Sequence, residues 1–543
     1  MSRRGLDRSG VRRARLMSAA AACAALLFWA VPLASAETVY YRGVDGDPET
    51  LDPHKSSHTT EAQIIRDLFE GLLIHDARGQ LVPGVANSWD VSTDGKTYTF
   101  HLRSDARWSN GASVRASDFV SSLRRLLTPA TAAKYASLYY PIWNAEKIHK
   151  DPSGRPEDLG VEAPEEYTLV IRLERPTPYF LELLALQPAS PVNPDNVLAA
   201  GKDFVRPGVL VSNGAYTLSE STPGHHIILK KNPHFHDSSH VSIDTVVYQP
   251  LGDLAAAARR FMAGELHSTN DFPAAQHREL KAKLGDQVVV SPYLGTYYLA
   301  FNTAKPPFSD PRIRTALSMV IDREFLSEAI WSGTMLPAYG FIPPGLSNYA
   351  NPAEAQFKNL SLIEREEAAK RLLLDAGYGP GLAPLKVELR YNTTDNNRHT
   401  MVAIADMWKR ALGVETMLAN VDSKTHFALL RDRGDFDVAR GGWIADYPDP
   451  QNFLFLFQSS SPGFNYARYA SREFDDLMSG AASELHPVER AKLFRQADSL
   501  ILRDVPYAPL LFYSNRNLIS HKLKNFHPNL LGANATRFMS LLP

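Results

Sequence analysis

The start of the chain fixes where it folds, and therefore what can hold it together. Arg3, Arg4, Arg8, Arg12, Arg13 and Arg15 are offset only by Asp7 before residue 17. An uncharged segment, Met17 to Leu33, follows and runs into Ala34-Ser35-Ala36, which has the small-x-small form of a signal-peptidase site. The pattern predicts a signal peptide over residues 1–36, cleaved before Glu37, and a periplasmic mature protein. Pro32 interrupts the segment and argues against a retained anchor. Ser2-Arg3-Arg4 and Arg12-Arg13 leave a twin-arginine route open beside the general one. Cys23 is the only cysteine in 543 residues. Only Leu16 to Ala22 separate it from Arg15, too little apolar sequence for a lipid-attachment site. Cleavage removes it, so the mature chain has no disulfide, no thiolate metal site and no cysteine nucleophile. A large exported chain without crosslinks must be held by its core.

Charge then narrows the partners. Lys+Arg number 58 and Asp+Glu 59, and once the basic start is set aside the remainder is mildly acidic. Binders of nucleic acid or of anionic membranes carry a basic footprint, which this body lacks. A hydrophobic content of 44% with 22% charged residues is that of a globular protein. No second run of ~18 apolar residues is present, and a monomer free of the membrane is expected.

Short strand patterns alternate with amphipathic helices, without a low-complexity linker or internal repeat. Trp89-Asp90, Asp94-Gly95 and Tyr98 to Leu102 read as a hairpin, because Asp-Gly supplies the positive φ of the turn. Helices are expected at Ala116 to Leu127, across Ser309 to Trp331 as one element, at Glu364 to Ala376 and at Pro487 to Arg503. Strand patterns at Thr168 to Leu173, His226 to Lys231, Thr245 to Gln249 and Leu385 to Tyr391 imply a mixed α/β protein with more than one sheet.

Catalytic signatures are missing: there is no G-x-S-x-G, H-E-x-x-H, P-loop or strand-to-helix G-x-G-x-x-G. With no cysteine nucleophile either, the enzyme reading is disfavoured. His225-His226 with His234, His236, Asp237 and His240 has metal-like composition, but Asn232-Pro233 starts a turn and solvated loop histidines are the simpler reading; no metal or cofactor is assigned. The informative stretch runs from Phe436 to Pro448. Small and apolar residues around Trp443 read as a strand whose glycines admit another backbone. Asp446, between Ala445 and Tyr447, needs a cationic partner if buried, either Arg440 within the chain or the ammonium of a ligand. Tyr293 to Tyr298 forms a second aromatic strand, suited to a pocket wall or to a core.

Ordered motifs carry a family resemblance across nearly the whole mature length. They are Leu51 to Lys55, Arg66 to Leu72, Trp108 to Gly111 with Ala116, Asp118 and Phe119, Ser212 to Tyr216, Pro292 to Leu294 through Lys305 to Phe308, Pro337 to Gly340, and Asp437 to Tyr447. The chain resembles the extracytoplasmic peptide-binding proteins of ABC importers, most of all the oligopeptide-binding proteins. The resemblance implies a periplasmic-binding-protein-like α/β fold of three domains, with two lobes closing on a hinge. Domain I would comprise residues 37–69, 195–294 and 514–543, domain II residues 70–194, and domain III residues 295–513. The hinge crossings fall near Gly295 and Tyr513.

Carried over position by position, the resemblance makes Asp446 the anchor for a peptide's α-ammonium. Gly442-Trp443-Ile444 and Ser57-His58-Thr59 would pair with the peptide backbone as added strands. Tyr135, Asn270, Tyr293 and Tyr298 fall where the family lines its cleft. Arg431, Arg440 and His399 fall at or near positions that meet carboxylates, although two extra residues precede Ala403-Ile404-Ala405. Gly295 and Ile444 replace a cysteine pair found in some members, and Lys424 replaces a pocket tryptophan, where it would either favour acidic side chains or stand as a water-exposed lysine. The implied function is capture of short peptides for a membrane permease, with no catalysis. A receptor of the same fold for dipeptides, cell-wall peptides or another small solute, a secreted peptide hydrolase and a periplasmic chaperone are the competing readings.

Overall fold

In a computed structural model, which describes Met1 and residues 37–461 and 463–542, two long antiparallel strands, Val288–Phe301 and Tyr507–Ile519, form the spine. The signal-peptide segment, with Cys23 and the small-x-small site, lies outside the described residues. On one flank of the spine the sheet continues through Val438–Ile444, Lys386–Asn392 and Glu415–Val421. On the other it runs through Ser268–Thr269, Val39–Val44, Thr245–Pro250, His226–Lys231 and Tyr216–Thr222. With Leu336–Pro337 pairing onto Tyr507–Ile519, the sheet has 11 strands.

The spine is not uniform. Val288 to Pro292 pairs with Leu518 to Ser514, the register then breaks, and pairing resumes at Thr296 opposite Phe512. Gly295 lies in this break. A Cβ there would meet the Tyr513 ring at 2.8 Å and the Trp443 carbonyl at 3.0 Å, so no larger residue fits without movement. The two crossings named from the sequence as a hinge, Gly295 and Tyr513, are thus adjacent at the irregular point of the spine.

A separate antiparallel sheet orders Ala86–Val91, Thr97–Leu102, Thr168–Arg172 and Val161–Glu165. The expected hairpin is its first pair, turning at Gly95 with φ 66°. Helix Ala116–Leu127 covers it, placing Phe119, Leu123, Leu126 and Leu127 in a core with Phe100, Trp108 and Leu169. Tyr447 apart, the buried members of this core lie between Leu72 and Ala189. Other cores gather around Tyr216 and Tyr248, around Trp408 and Tyr297, and around Tyr298 and Phe341. Tyr297 and Tyr298 enter different cores because successive strand residues face opposite sides.

Helices Leu362–Asp375 and Pro487–Asp504 match their expected positions within two residues. The single helix expected over Ser309 to Trp331 does not form. Pro311–Met319 ends at Val320, and a new helical run begins at Arg323, where the Asp322 carboxylate accepts from the Phe325 amide. The apolar period continues through the break, but Asp322 offers the backbone a fresh N-terminal cap and restarts it.

Candidate functional site

Asp446 follows the strand Val438–Ile444 and lines a cavity of about 200 Å³, together with Tyr135, Tyr293, Arg66, Ile444 and the segment Ser57-His58-Thr59. Its backbone N–H donates to Asn452 Oδ1 at 3.2 Å, and the Trp443 indole N–H reaches the same oxygen at 3.1 Å. One amide side chain therefore fixes both residues. The only hydrogen bond to the Asp446 carboxylate among the described residues comes from the Tyr135 hydroxyl at 3.2 Å. Arg440 is not its partner: that guanidinium donates to Tyr513 Oη at 2.6 Å and Asn392 Oδ1 at 3.1 Å and lies over the Tyr297 ring. The internal ion pair is thereby excluded. Burial without a cation pushes the Asp446 carboxyl up to about 6, the Tyr135 hydroxyl offsetting a little of the rise. A positive charge placed beside it would offset that rise.

Beside Asp446 the strand offers its backbone. Thr296 and Tyr297 pair with Trp443 and Gly442 on one edge, whereas on the other edge the ladder to Lys386–Asn392 stops at Ala439. At Arg440 the carbonyl is bonded to the His426 ring nitrogen at 2.8 Å, and from Gly441 to Ile444 the outer edge has no strand partner among the described residues. Gly442 is needed here, since a Cβ would stand 2.6 Å from the Tyr513 hydroxyl. Ser57 and His58 differ from expectation: their N–H groups already donate to Glu61 Oε2 at 2.7 and 3.1 Å. Glu61 Oε1 also accepts from the Glu49 and Thr50 amides, so this carboxylate clamps the whole turn.

A second cavity of about 310 Å³ adjoins the first, sharing Arg66, Thr59, Tyr293 and Ile444, and adds Asn270, Trp331 and Tyr513. Asn270 donates to Gln63 Oε1 at 2.7 Å. Arg516 is held there by Asp271 through two bonds of 2.7 Å.

The remaining sequence candidates stand elsewhere. Tyr298 is buried, stacked on Tyr507 with centroids 4.6 Å apart and lying beneath Gly441. Tyr297, one residue away, is the neighbour of Arg440 and Tyr513. Trp443 packs edge-on against Phe455 and Phe464, behind the cavities. Arg431, Lys424 and His399 are exposed on helices Ser423–Arg431 and Asp395–Leu412 and line neither cavity. Arg66 and Gln63 were not singled out from the sequence: both lie on helix Thr59–Leu68, and period alone does not say which flank of a helix borders a cavity.

Two other features carry less. A cavity of about 440 Å³ beside Lys305 has its charges already met, with Lys305 2.8 Å from Asp437 and 3.0 Å from Asp435. Among the described residues no three His, Cys, Asp or Glu side chains gather as metal ligands. His236 donates instead to Glu70 at 2.8 Å, beside Arg537.

Residues 80–465 match the family model for bacterial extracellular solute-binding proteins, family 5. The chain belongs to that family. It is 37% identical over 525 residues to the periplasmic murein peptide-binding protein MppA of Escherichia coli, covering 94% of this chain and 96% of that one. It is 38% identical over 522 residues to the periplasmic oligopeptide-binding protein OppA of the same organism, covering 96% and 95%. The solved structure of Escherichia coli MppA superposes with a TM-score of 0.81 at 36% identity, over 94% of this chain and 99% of that one. That of Haemophilus influenzae OppA in complex with RPPGFSPFR gives 0.80 at 33%, over 94% and 99%. Family 5 proteins bind solutes and do not transform them, so this chain is a binding protein and not an enzyme. Its architecture is the multidomain α/β fold of periplasmic binding proteins.

Proposed function

We propose that the protein captures short peptides between its lobes and hands them to the membrane permease of an ABC importer, in the periplasm, after cleavage before Glu37. The observation that carries this reading is Asp446: a desolvated carboxylate without a cation, placed at the end of an unpaired strand edge. A peptide presents an ammonium at one end and a backbone able to extend the sheet, and both needs of the site are met by one ligand. Tyr135 and Tyr293 flank the ammonium position and Asn270 stands in the adjoining cavity. Arg440 lines neither cavity and reaches the second only through its hydrogen bond to Tyr513. Domain I over residues 37–69, 195–294 and 514–543, domain II over 70–194 and domain III over 295–513 accord with the separate cores. Contacts between the second and third, such as Tyr179 stacked on Tyr447 at 5.1 Å, give closure a surface.

Calorimetry with trialanine and its N-acetyl form, on wild type and Asp446→Asn, tests the reading. Acetylation should cost the wild type about two to three powers of ten in affinity, the cost of leaving a buried charge unpaired at ~3 to 5 kcal/mol. It should cost Asp446→Asn little more, because the two changes remove one interaction. Tight binding of acetylated peptide by the wild type rejects the anchor. Recovery of cleaved peptide would restore the hydrolase reading.

A further inference from the structure

Arg66 is a cation in search of an anion. It leaves the helix Thr59–Leu68 between Ile65 and Asp67, both buried, and its side chain borders the two adjoining cavities. Among the described residues its guanidinium has no carboxylate within ion-pair distance and donates no hydrogen bond. The charged and aromatic groups that act on it are Tyr293, Arg42, Tyr248 and Asp67, and burial holds it below the ordinary arginine range. Other interior or partly buried arginines are provided for. Arg490 holds Asp449 at 2.7 Å, Arg537 meets Glu70, Arg42 donates to the Asn534 carbonyl at 3.0 Å, and Arg440 has its two donors placed. Asp67, the adjacent carboxylate, is taken by the Tyr248 hydroxyl at 2.7 Å and the Thr536 amide at 2.8 Å. Arg66 therefore presents an unused planar fork of donors to the cavities.

A guanidinium in that state is matched by a carboxylate, which it grips with two parallel bonds. The place of that carboxylate in the ligand follows from geometry. Asp446 and Arg66 line the same cavity of about 200 Å³. An extended chain advances ~3.3 Å per residue. A carboxylate meeting Arg66 therefore belongs to one of the first two residues after the anchored ammonium. Arg66 also borders the second cavity, into which a side chain at that point can turn.

We propose that Arg66 is a specificity-determining residue that takes a ligand carboxylate lying within two residues of the ammonium held by Asp446. The inference rests on the peptide-receptor reading and names its preferred class: peptides acidic at the first or second position, or dipeptides whose own terminus supplies the carboxylate. Lys424 is not required for such a preference.

The test is calorimetry with Ala-Glu-Ala, Ala-Gln-Ala, Glu-Ala-Ala, Gln-Ala-Ala, Ala-Ala and Ala-Ala-amide, on wild type, Arg66→Gln and Arg66→Lys, with trialanine as reference. Wild type should bind the acidic member of at least one pair tenfold or more tighter than its amide partner. Arg66→Gln should abolish that ratio while still binding trialanine, and Arg66→Lys should retain part of it, keeping the charge but losing the fork. A ratio confined to the glutamate tripeptides assigns a side-chain carboxylate, and one confined to Ala-Ala assigns the chain terminus. Ratios near one in the wild type overturn the proposal without recourse to any variant. So does an equal loss for acidic and amide ligands in Arg66→Gln. Failure of the wild type to bind trialanine or any of the peptides overturns the peptide-receptor reading itself.

Discussion

Asp446 and Asp449 are three residues apart in one loop and are treated in opposite ways. Asp449 is buried and fully engaged: Arg490 grips it at 2.7 and 2.9 Å, Asn348 donates at 2.9 Å, and its Oδ1 also accepts from the Gln451 amide. Asp446 has one hydroxyl at 3.2 Å and no cation. The same residue type is in one place a buried structural clamp, and in the other a partly buried carboxylate that lines a cavity and has no cation among the described residues. Burial without a cation is not enough to mark a site, since Asp498 is fully buried without an ion pair among the described residues and is held by the Tyr349 hydroxyl and the Ala353 amide; Asp446 differs in lining a cavity.

The contrast can be broken by exchanging the consequences. Asp449→Ala strands Arg490 in the interior and should cost ~3 to 5 kcal/mol of stability, read by denaturant unfolding. If the loss falls on peptide affinity and leaves stability intact, the clamp assignment is wrong. Asp446→Asn should do the reverse, lowering trialanine affinity about two to three powers of ten with unfolding unchanged or slightly improved.

Acidity separates the pair next. Asp446 has its carboxyl raised to about 6 in the folded protein, above the ~3.9 of an unfolded aspartate. The folded state thus takes up a proton first as pH falls, and this group's penalty on stability is relieved between about pH 6 and 4. Affinity moves the other way: the neutral carboxyl no longer attracts an ammonium, so binding should weaken about tenfold per unit below about pH 6, each unit being ~1.4 kcal/mol. Asp446→Asn should show a flat profile over that range, and a sloping one would place the titrating group elsewhere. The smallest effect belongs to Lys424, exposed on its helix: Lys424→Ala should change affinity for acidic and neutral peptides alike by less than threefold, the scale of a surface charge contact.

How much of this was legible in the chain depends on what each residue's neighbours in sequence reveal. The Asp446 loop draws notice because a carboxylate is set among Trp443, Ala445 and Tyr447, but those residues leave its partner open between an internal base and a ligand, and only the family resemblance supplies the ammonium reading. The matched motifs read well for fold because many are pins: Asp52 holds Arg125 at 2.6 Å, Asp118 accepts from the Trp108 indole at 3.1 Å, and Asn213 bonds the Glu70 backbone in both directions. Tyr298 was named for the cleft because an aromatic strand suits a pocket wall or a core alike; it and Tyr297 are both fully buried and line neither cavity. The helix broken at Asp322 hid behind an apolar period that continues through the break. Arg66 lay inside a motif quoted for its family likeness, yet nothing local showed that its charge would go unpaired.

The strand edge from Gly441 to Ile444, which has no strand partner among the described residues, has a further consequence. In an ordinary sheet such an edge is a hazard, since any passing strand can join it and begin an aggregate. Here the unpaired run is only Gly441 to Ile444, and the strand ends there, two residues before Asp446. A strand that joined it would gain few pairings, too few to be stable by themselves. The shortness of the run limits the hazard that an open edge carries.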